Sequence, residues 1–349
     1  MVPYDEVCET FKTFITFITI SRQEDSPTNL LFSDCNIVKN IQTRPMEPEL
    51  KSFLSPRDLA RAIGASESSL KRWVDDGRIR VSRTAGGHRR IPLTEAVRFI
   101  RAAGITLADP ERIGLPAVSA SGARTTDALP RECSEMFREL RGPEVEQRLF
   151  AAFLAGASVA EICDGPIRIS LQHVGEIYHD DPTGIAIEHT AVEHCVRALN
   201  TIRNVITAPE RTAPLAIGGA VAGNPYVLPS LSVAAVLEEL GFRAINAGAN
   251  LPLDALAPMA TSHQAKIIWR TSNDTLDAKA QKAELEGLRE LTSKCGGTSV
   301  VGGGGFDADL AQKYNAHSFD SMVEFSGFAR GFLAITGETV SRDERALAN

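Results

Sequence analysis

Residues Leu54–Gly104 read LSPRDLARAIGASESSLKRWVDDGRIRVSRTAGGHRRIPLTEAVRFIRAAG. Ser55 is placed to cap a helix with Pro56 in its first position. Leu59, Ala62 and Ile63 give that helix one apolar face, and Gly64 stops it. Ser66 is placed to cap a second helix with apolar positions Leu70, Trp73 and Val74. Two short helices joined by a tight turn predict a helix-turn-helix. The second helix offers Ser68, Ser69, Lys71 and Arg72 on its other side. These hydroxyl and cationic groups suit base edges and phosphates. Trp73 is expected to pack between the helices rather than to touch nucleic acid.

The next residues alternate through Ile79, Val81 and Arg83, reach Gly86-Gly87, and continue as His88–Ile91. This pattern predicts a β-hairpin closed by a Gly-Gly turn. Arg83, Thr84, His88, Arg89 and Arg90 crowd it, forming a wing suited to phosphates or the minor groove. Alone, a basic hairpin reads as a solvated surface; beside a helix-turn-helix it reads as part of a DNA-binding face. Between Lys51 and Gly104 there are twelve Lys or Arg against five Asp or Glu, whereas the whole chain carries −7. A basic module on an acidic body suggests that only the module meets a polyanion.

The run Arg83-Thr84-Ala85-Gly86-Gly87-His88-Arg89-Arg90 resembles the wing of MerR-type regulators and their excisionase-like relatives. The resemblance covers the head segment only. It implies double-stranded promoter DNA as partner and a homodimer or higher homo-oligomer on a near-palindromic site.

A chain of 349 residues has room for two or three domains. Residues 1–50 lack sustained periodicity and are expected to be a disordered extension, unless translation starts at Met46. Residues 51–105 are the winged helix-turn-helix. Residues 106–130, rich in Pro, Gly, Ser, Ala and Thr, read as a linker. Residues 131–210 read as amphipathic helices broken at Gly142-Pro143, Gly165-Pro166 and Asp181-Pro182. In residues 211–340, strands at Leu215–Ile217, Ala244–Asn246, Ile267–Trp269 and Ser299–Val301 alternate with helices. Those helices lie near Leu231–Leu240, Pro252–Ser262, Asp277–Thr292, Ala308–Lys313 and Ser321–Ile335. The alternation predicts a Rossmann-like α/β domain with a doubly wound parallel sheet.

No apolar run approaches the roughly 20 residues of a membrane span, so no membrane association is expected. The six cysteines form no CxxC pair and fit free thiols in a reducing cytoplasm, the expected location. No metal-site spacing, P-loop or nucleophile constellation appears, so no metal and no enzymatic activity are expected.

Residues 131–335 resemble the cobalamin-binding module of light-sensing MerR-type repressors and of related methionine synthase and corrinoid proteins. That resemblance implies a four-helix bundle beside the Rossmann-like domain, with cobalamin between them at the carboxyl ends of the strands. The overall fold expected is therefore multidomain: winged helix-turn-helix, four-helix bundle and α/β domain. Three motifs carry the likeness. Tyr178, nine residues and Glu188-His189 stand where the light sensors have Trp, nine residues and Glu-His. Asn224, Tyr226 and Pro229 replace the Asp, cobalt-ligating His and Gly of the loop after the first strand. Gly302–Gly305, with Gly303 and Gly304 at its centre, fits the turn that accommodates the nucleotide tail, and Ser272 fits the Ser of the preceding loop.

Phenol is a poor metal ligand beside imidazole, and Pro225 and Pro229 stiffen the loop. His-on cobalamin is therefore not expected. The module is read as a degenerate sensor that acts in oligomerisation or binds another small molecule or a partner protein. Two alternatives stay open. One is an adenosylcobalamin- or light-dependent repressor with an atypical pocket, using His189, His194 or His263 as substitute ligand. The other is a corrinoid carrier or methyltransferase-like protein. Glu188-His189 and Glu193-His194 also read as ordinary polar helix faces, and Gly302–Gly305 as a tight strand-helix turn.

Overall fold

The computed structural model describes residues 51–116, 128–178 and 183–336. The first elements are β1 (Phe53–Leu54), α1 (Pro56–Ala62), α2 (Glu67–Asp75), β2 (Ser82–Arg83), β3 (Arg89–Pro92) and α3 (Leu93–Ala103). The Ser55 hydroxyl accepts the Asp58 N–H and the Ser66 hydroxyl accepts the Ser69 N–H, so both helices start where the capping signals place them. The strands form an antiparallel sheet in the order β1-β3-β2, with Leu54 opposite Ile91 and Arg83 opposite Arg89. The hairpin is shorter than its alternation predicts. Ile79 is drawn into the core, and the Arg80 N–H donates to Glu95 Oε1 at 2.8 Å rather than to a strand. Trp73 is half-buried, with its ring 5.2 Å from that of Phe99.

Composition marks 106–130 as a linker, but its first part is packed. A 3₁₀ turn at Glu111–Ile113 follows α3, and Ile113 and Leu115 are fully buried. The N–H groups of Ala108 and Asp109 donate to the Ala62 carbonyl at the end of α1. Residues 1–50 with Met46, the rest of the linker and Asp181-Pro182 lie outside the described residues.

The helical region comprises α4 (Leu129–Arg138), α5 (Gly142–Leu154), α6 (Val159–Ile162), α7 (Arg168–Tyr178) and α8 (Thr183–Val205). The long α8 packs on α5 and α7, and α4 packs on α7. The break expected at Gly142-Pro143 falls at Glu139–Arg141, and Gly142-Pro143 opens α5, because a proline in the first turn lacks only an N–H that has no helical acceptor. Gly165-Pro166 likewise makes no chain break. It lies in a π-helical turn, Cys163–Ile167, that runs directly into α7.

The parallel sheet follows: β4 (Leu215–Ala220), α9 (Leu228–Glu239), β5 (Arg243–Asn246), α10 (Leu253–Ser262), β6 (Ile267–Thr271), α11 (Ala278–Cys295), β7 (Thr298–Gly302), α12 (Ala308–Lys313), β8 (Ala316–Ser318) and α13 (Met322–Thr336). Strand order is β5-β4-β6-β7-β8, the doubly wound Rossmann-like arrangement in which chain direction along the sheet reverses between β4 and β6. β8 carries no apolar run, so no local pattern announces it. β4 and β6 extend past their apolar stretches, through Gly218-Gly219-Ala220 and Arg270-Thr271, because the ladder between them continues there.

The two faces of the sheet belong to different cores. Ile217, Ile268 and Leu288 lie in one, with α10 and α11. Trp269 and Val300 lie in the other, which runs through α9 and α13 into the helical region and on to Leu54 and Phe99 in the head. Among the described residues no helix is long and apolar enough to cross a membrane.

Candidate functional site

Two groups of expected site residues are each brought together. The first is in the head. Lys71 and Arg72 on α2, and Arg83 and Arg90 on the hairpin, are exposed. Among the described residues no ion pair engages them. The Ser68 and Ser69 hydroxyls share hydrogen bonds with the capping Ser66 hydroxyl, at 2.8 and 2.9 Å, and so stand at the N-terminus of α2. Thr84 shapes the turn: its hydroxyl accepts the His88 N–H, its own N–H donates to the His88 carbonyl, and its carbonyl accepts the Gly87 N–H. Gly87 has φ +77°, a conformation that favours glycine, and the His88 side chain is left exposed.

Arg89 differs from its neighbour Arg90. Successive strand residues point to opposite faces. Arg89 turns inward, and its guanidinium donates to Asp75 Oδ1 at 2.7 Å. Asp75 ends α2, so this pair fastens the hairpin to the second helix. The sequence treated Arg89 and Arg90 as equal contacts and did not connect Asp75 with either.

The second group stands at the carboxyl ends of β4, β6 and β7, where strand order reverses and open α/β sheets form a crevice. Ser272 and Asn224 are buried there, with Asn224 Nδ2 3.5 Å from Ser272 Oγ and 3.4 Å from Asp274 Oδ2. Asn250, in the left-handed region at φ +50°, accepts the Gly223 N–H and donates its own N–H to the Asn224 carbonyl. Tyr226 follows, 44 % exposed, its N–H donating to Asn224 Oδ1. The loops after four strands are thus stitched to one another. Asn250 and Asp274 escaped the sequence reading because nothing local marks an Asn or Asp in a loop as a partner of residues tens of positions away.

The glycines serve this stitching. Gly303 has φ +89°, and a Cβ there would lie 2.2 Å from the Ser272 carbonyl oxygen. At Gly305 a Cβ would lie 2.3 Å from the Asp274 carbonyl oxygen, and the Gly305 N–H donates to the Ser272 carbonyl. The room these two glycines provide is taken by the Ser272–Asp274 loop. At Gly304 the nearest atom would be 3.7 Å away, leaving space.

Beneath this edge, a Cβ on Gly218 would lie 2.4 Å from the indole of Trp269. Trp269 is fully buried and fills the space between β4 and α9. Its Nε1 donates to Ser230 Oγ at 2.9 Å, and that hydroxyl donates to Asn246 Oδ1 at 2.8 Å. On the opposite face Arg270, also fully buried, pairs with Glu284 and donates to the Leu251 carbonyl.

The remaining candidates stand apart. Glu188 is half-buried and His189 exposed on α8, and neither shares a hydrogen bond or ion pair with Ser272 or the glycines. Tyr178 is the last residue of α7; its side chain lies outside the described residues. His194 is unsuited as a substitute ligand, because its Nδ1 is bonded to Glu146 and its ring lies against Gly142. His263 follows α10 just before β6, at the amino edge of the sheet and opposite Tyr226. Among the described residues no group of three metal-ligating side chains occurs.

No family model and no curated protein matches the chain. Solved structures do. The monomethylamine corrinoid protein of Methanosarcina barkeri gives a TM-score of 0.46 at 15% identity, over 59% of this chain and 99% of that one. A cobalamin-binding protein from Desulfitobacterium hafniense DCB-2 gives 0.32 at 12% identity, over 58% and 98%. The methanol:cobalamin methyltransferase complex of Methanosarcina barkeri gives 0.32 at 14% identity, over 63% and 84%.

Proposed function

We propose that the chain is a DNA-binding transcription regulator of the MerR type, whose α/β half is a degenerate relative of cobalamin sensors. The observation that carries this reading is the exposed cationic face of the head. Lys71 and Arg72 on α2, with Arg83 and Arg90 on the hairpin, are presented on two elements fastened by the Arg89–Asp75 pair. A helix with free cations and N-terminal hydroxyls suits a major groove, and a basic hairpin beside it suits flanking phosphates. Paired heads in a homodimer would occupy a two-fold site on promoter DNA.

His-on cobalamin does not fit the residues present. Tyr226 offers a phenol where an imidazole is needed, the Gly303 space is occupied by the Ser272 carbonyl, and Trp269 fills the room beside Gly218. A corrinoid carrier or an adenosylcobalamin-dependent repressor remains the second reading. It is favoured by the doubly wound strand order, with exposed Tyr226 and open Gly304 at the switch-point edge.

Binding of the full chain to a duplex of about 30 base pairs, titrated over a range of salt, tests the first reading. Affinity is expected to fall steeply with salt, and Arg83→Ala/Arg90→Ala to weaken binding by roughly ten- to a hundredfold and flatten the slope by about two. An unchanged slope in that variant overturns the assignment. Mixing with adenosylcobalamin followed by gel filtration tests the second. A corrin absorbance band that co-elutes with the protein would establish it in place of a degenerate module.

A further inference from the structure

A half-buried ion pair joins the head to the α/β half. Arg101, near the end of α3 in the head, donates to Glu239 Oε1 at 2.7 Å across 138 residues of sequence. The same guanidinium donates to the Phe153 carbonyl at the end of α5 and to the Ala157 carbonyl just beyond it, and lies 3.5 Å over the Phe153 ring. The other Glu239 oxygen accepts the Val159 N–H at 2.7 Å, at the start of α6. Three parts of the molecule thus converge on one carboxylate. Burial pushes Glu239 up and Arg101 down from their ordinary values, so each charge depends on the other for compensation.

Glu239 is the last residue of α9. That helix begins at Leu228, directly after the Asn224–Val227 segment of the switch-point edge. Twelve residues at 1.5 Å per residue make a rod of about 18 Å. Nearly all of it is buried, between the sheet on one side and the bundle and α13 on the other. A close-packed helix shifts as a unit rather than bending locally. One end of α9 therefore leads from the Asn224 loop, and the other holds the head.

We infer that Arg101 and Glu239 are positioning residues for the DNA-reading head, coupling it through α9 to the loop at Asn224–Val227. A small molecule or partner that displaces that loop then changes the head's placement and its affinity for a duplex. Such control requires the effector to favour one placement over the other. The inference rests on the proposed DNA-binding role for its output, but not for the coupling itself.

A mutant cycle on the full chain tests it. The four proteins are the wild type, Asn224→Ala, the Arg101→Met/Glu239→Gln double variant, and the triple variant. The double variant removes both charges together, so that no unpaired half-buried charge remains. Two readouts are taken on each: affinity for a random-sequence duplex, and amide exchange of α3 (Leu93–Ala103). With Arg101 and Glu239 intact, Asn224→Ala is expected to change affinity roughly threefold or more and to alter α3 exchange. In the double variant the same substitution is expected to change neither. Equal effects in both backgrounds, or none on α3 in the wild type, overturn the inference. Should the wild type not bind a duplex, the DNA-binding role falls while the exchange cycle still decides the coupling. Should the double variant not fold, Arg101→Lys, which keeps the charge and loses the branched donor set, replaces it.

Discussion

The head and the carboxyl edge of the parallel sheet both carry polar residues and glycines in suggestive patterns, and the structure treats them in opposite ways. In the head, Lys71, Arg72, Arg83 and Arg90 face outward with no ion pair among the described residues, so their charge is available to a partner. At the sheet edge, Asn224, Ser272, Asp274 and the glycines are engaged with one another. A motif keeps its binding capacity only where the surrounding fold leaves its groups unsatisfied. At the sheet edge the fold itself occupies the groups that a ligand would use.

The largest expected effect contrasts the two tryptophans. Trp269→Ala removes a fully buried indole and is expected to cost about 3–5 kcal/mol in chemical denaturation. Trp73→Ala, at a half-buried position, is expected to cost roughly half that. Equal costs would show that the space beside Gly218 collapses readily and is not a filled slot.

Glycine substitutions sharpen the contrast. Gly303→Ala places a Cβ 2.2 Å from a carbonyl oxygen at φ +89° and is expected to lose roughly 2 kcal/mol or more of stability. Gly304→Ala, with its nearest atom at 3.7 Å, and Gly86→Ala in the hairpin, where the His88 ring would be 3.5 Å away, are expected to be nearly neutral. A neutral Gly303→Ala would return that glycine to the candidate ligand contacts.

A smaller effect tests Arg89. If the Arg89–Asp75 pair holds the wing, Asp75→Ala weakens duplex binding by about two- to fivefold even though it removes a negative charge. Tighter binding by the variant would mean that Arg89, once released, grips phosphate itself.

The smallest expected effect is a lack of reactivity. Burial pushes the thiols of Cys133 and Cys163 up to about 12. Both are expected to resist iodoacetamide near pH 8 in the native protein and to react once it is denatured, as peptide mass spectrometry would show. Labelling of either in the native state would indicate that the core of the helical region opens.

Local signals were legible where partners are close in sequence. Ser55 and Ser66 bond N–H groups three residues on, so cap and helix read together. The hairpin was legible in kind but not in length, because Glu95, from the following helix, claims the Arg80 N–H. Strand β8 was not legible, since its three residues pair only because β7 already lies beside them. The linker reading failed at Ile113 and Leu115, where two apolar side chains found a sealed surface on α1 that composition does not register.

The sequence by itself determined the strand-helix alternation from β4 to β7, the starts of α1 and α2 and the basic character of the head, because each depends on spacing and charge along a few turns of chain. It also fixed the chemical departures at Asn224 and Tyr226, since residue type alone sets ligand chemistry. Tertiary structure alone decided that Arg89 turns inward while Arg90 stays out, that Gly303 makes room for a carbonyl, and that Trp269 fills the interior beside Gly218. It alone joined Arg101 to Glu239. Each of these depends on groups distant in sequence meeting in space, where burial leaves a polar group only the partners that the fold supplies.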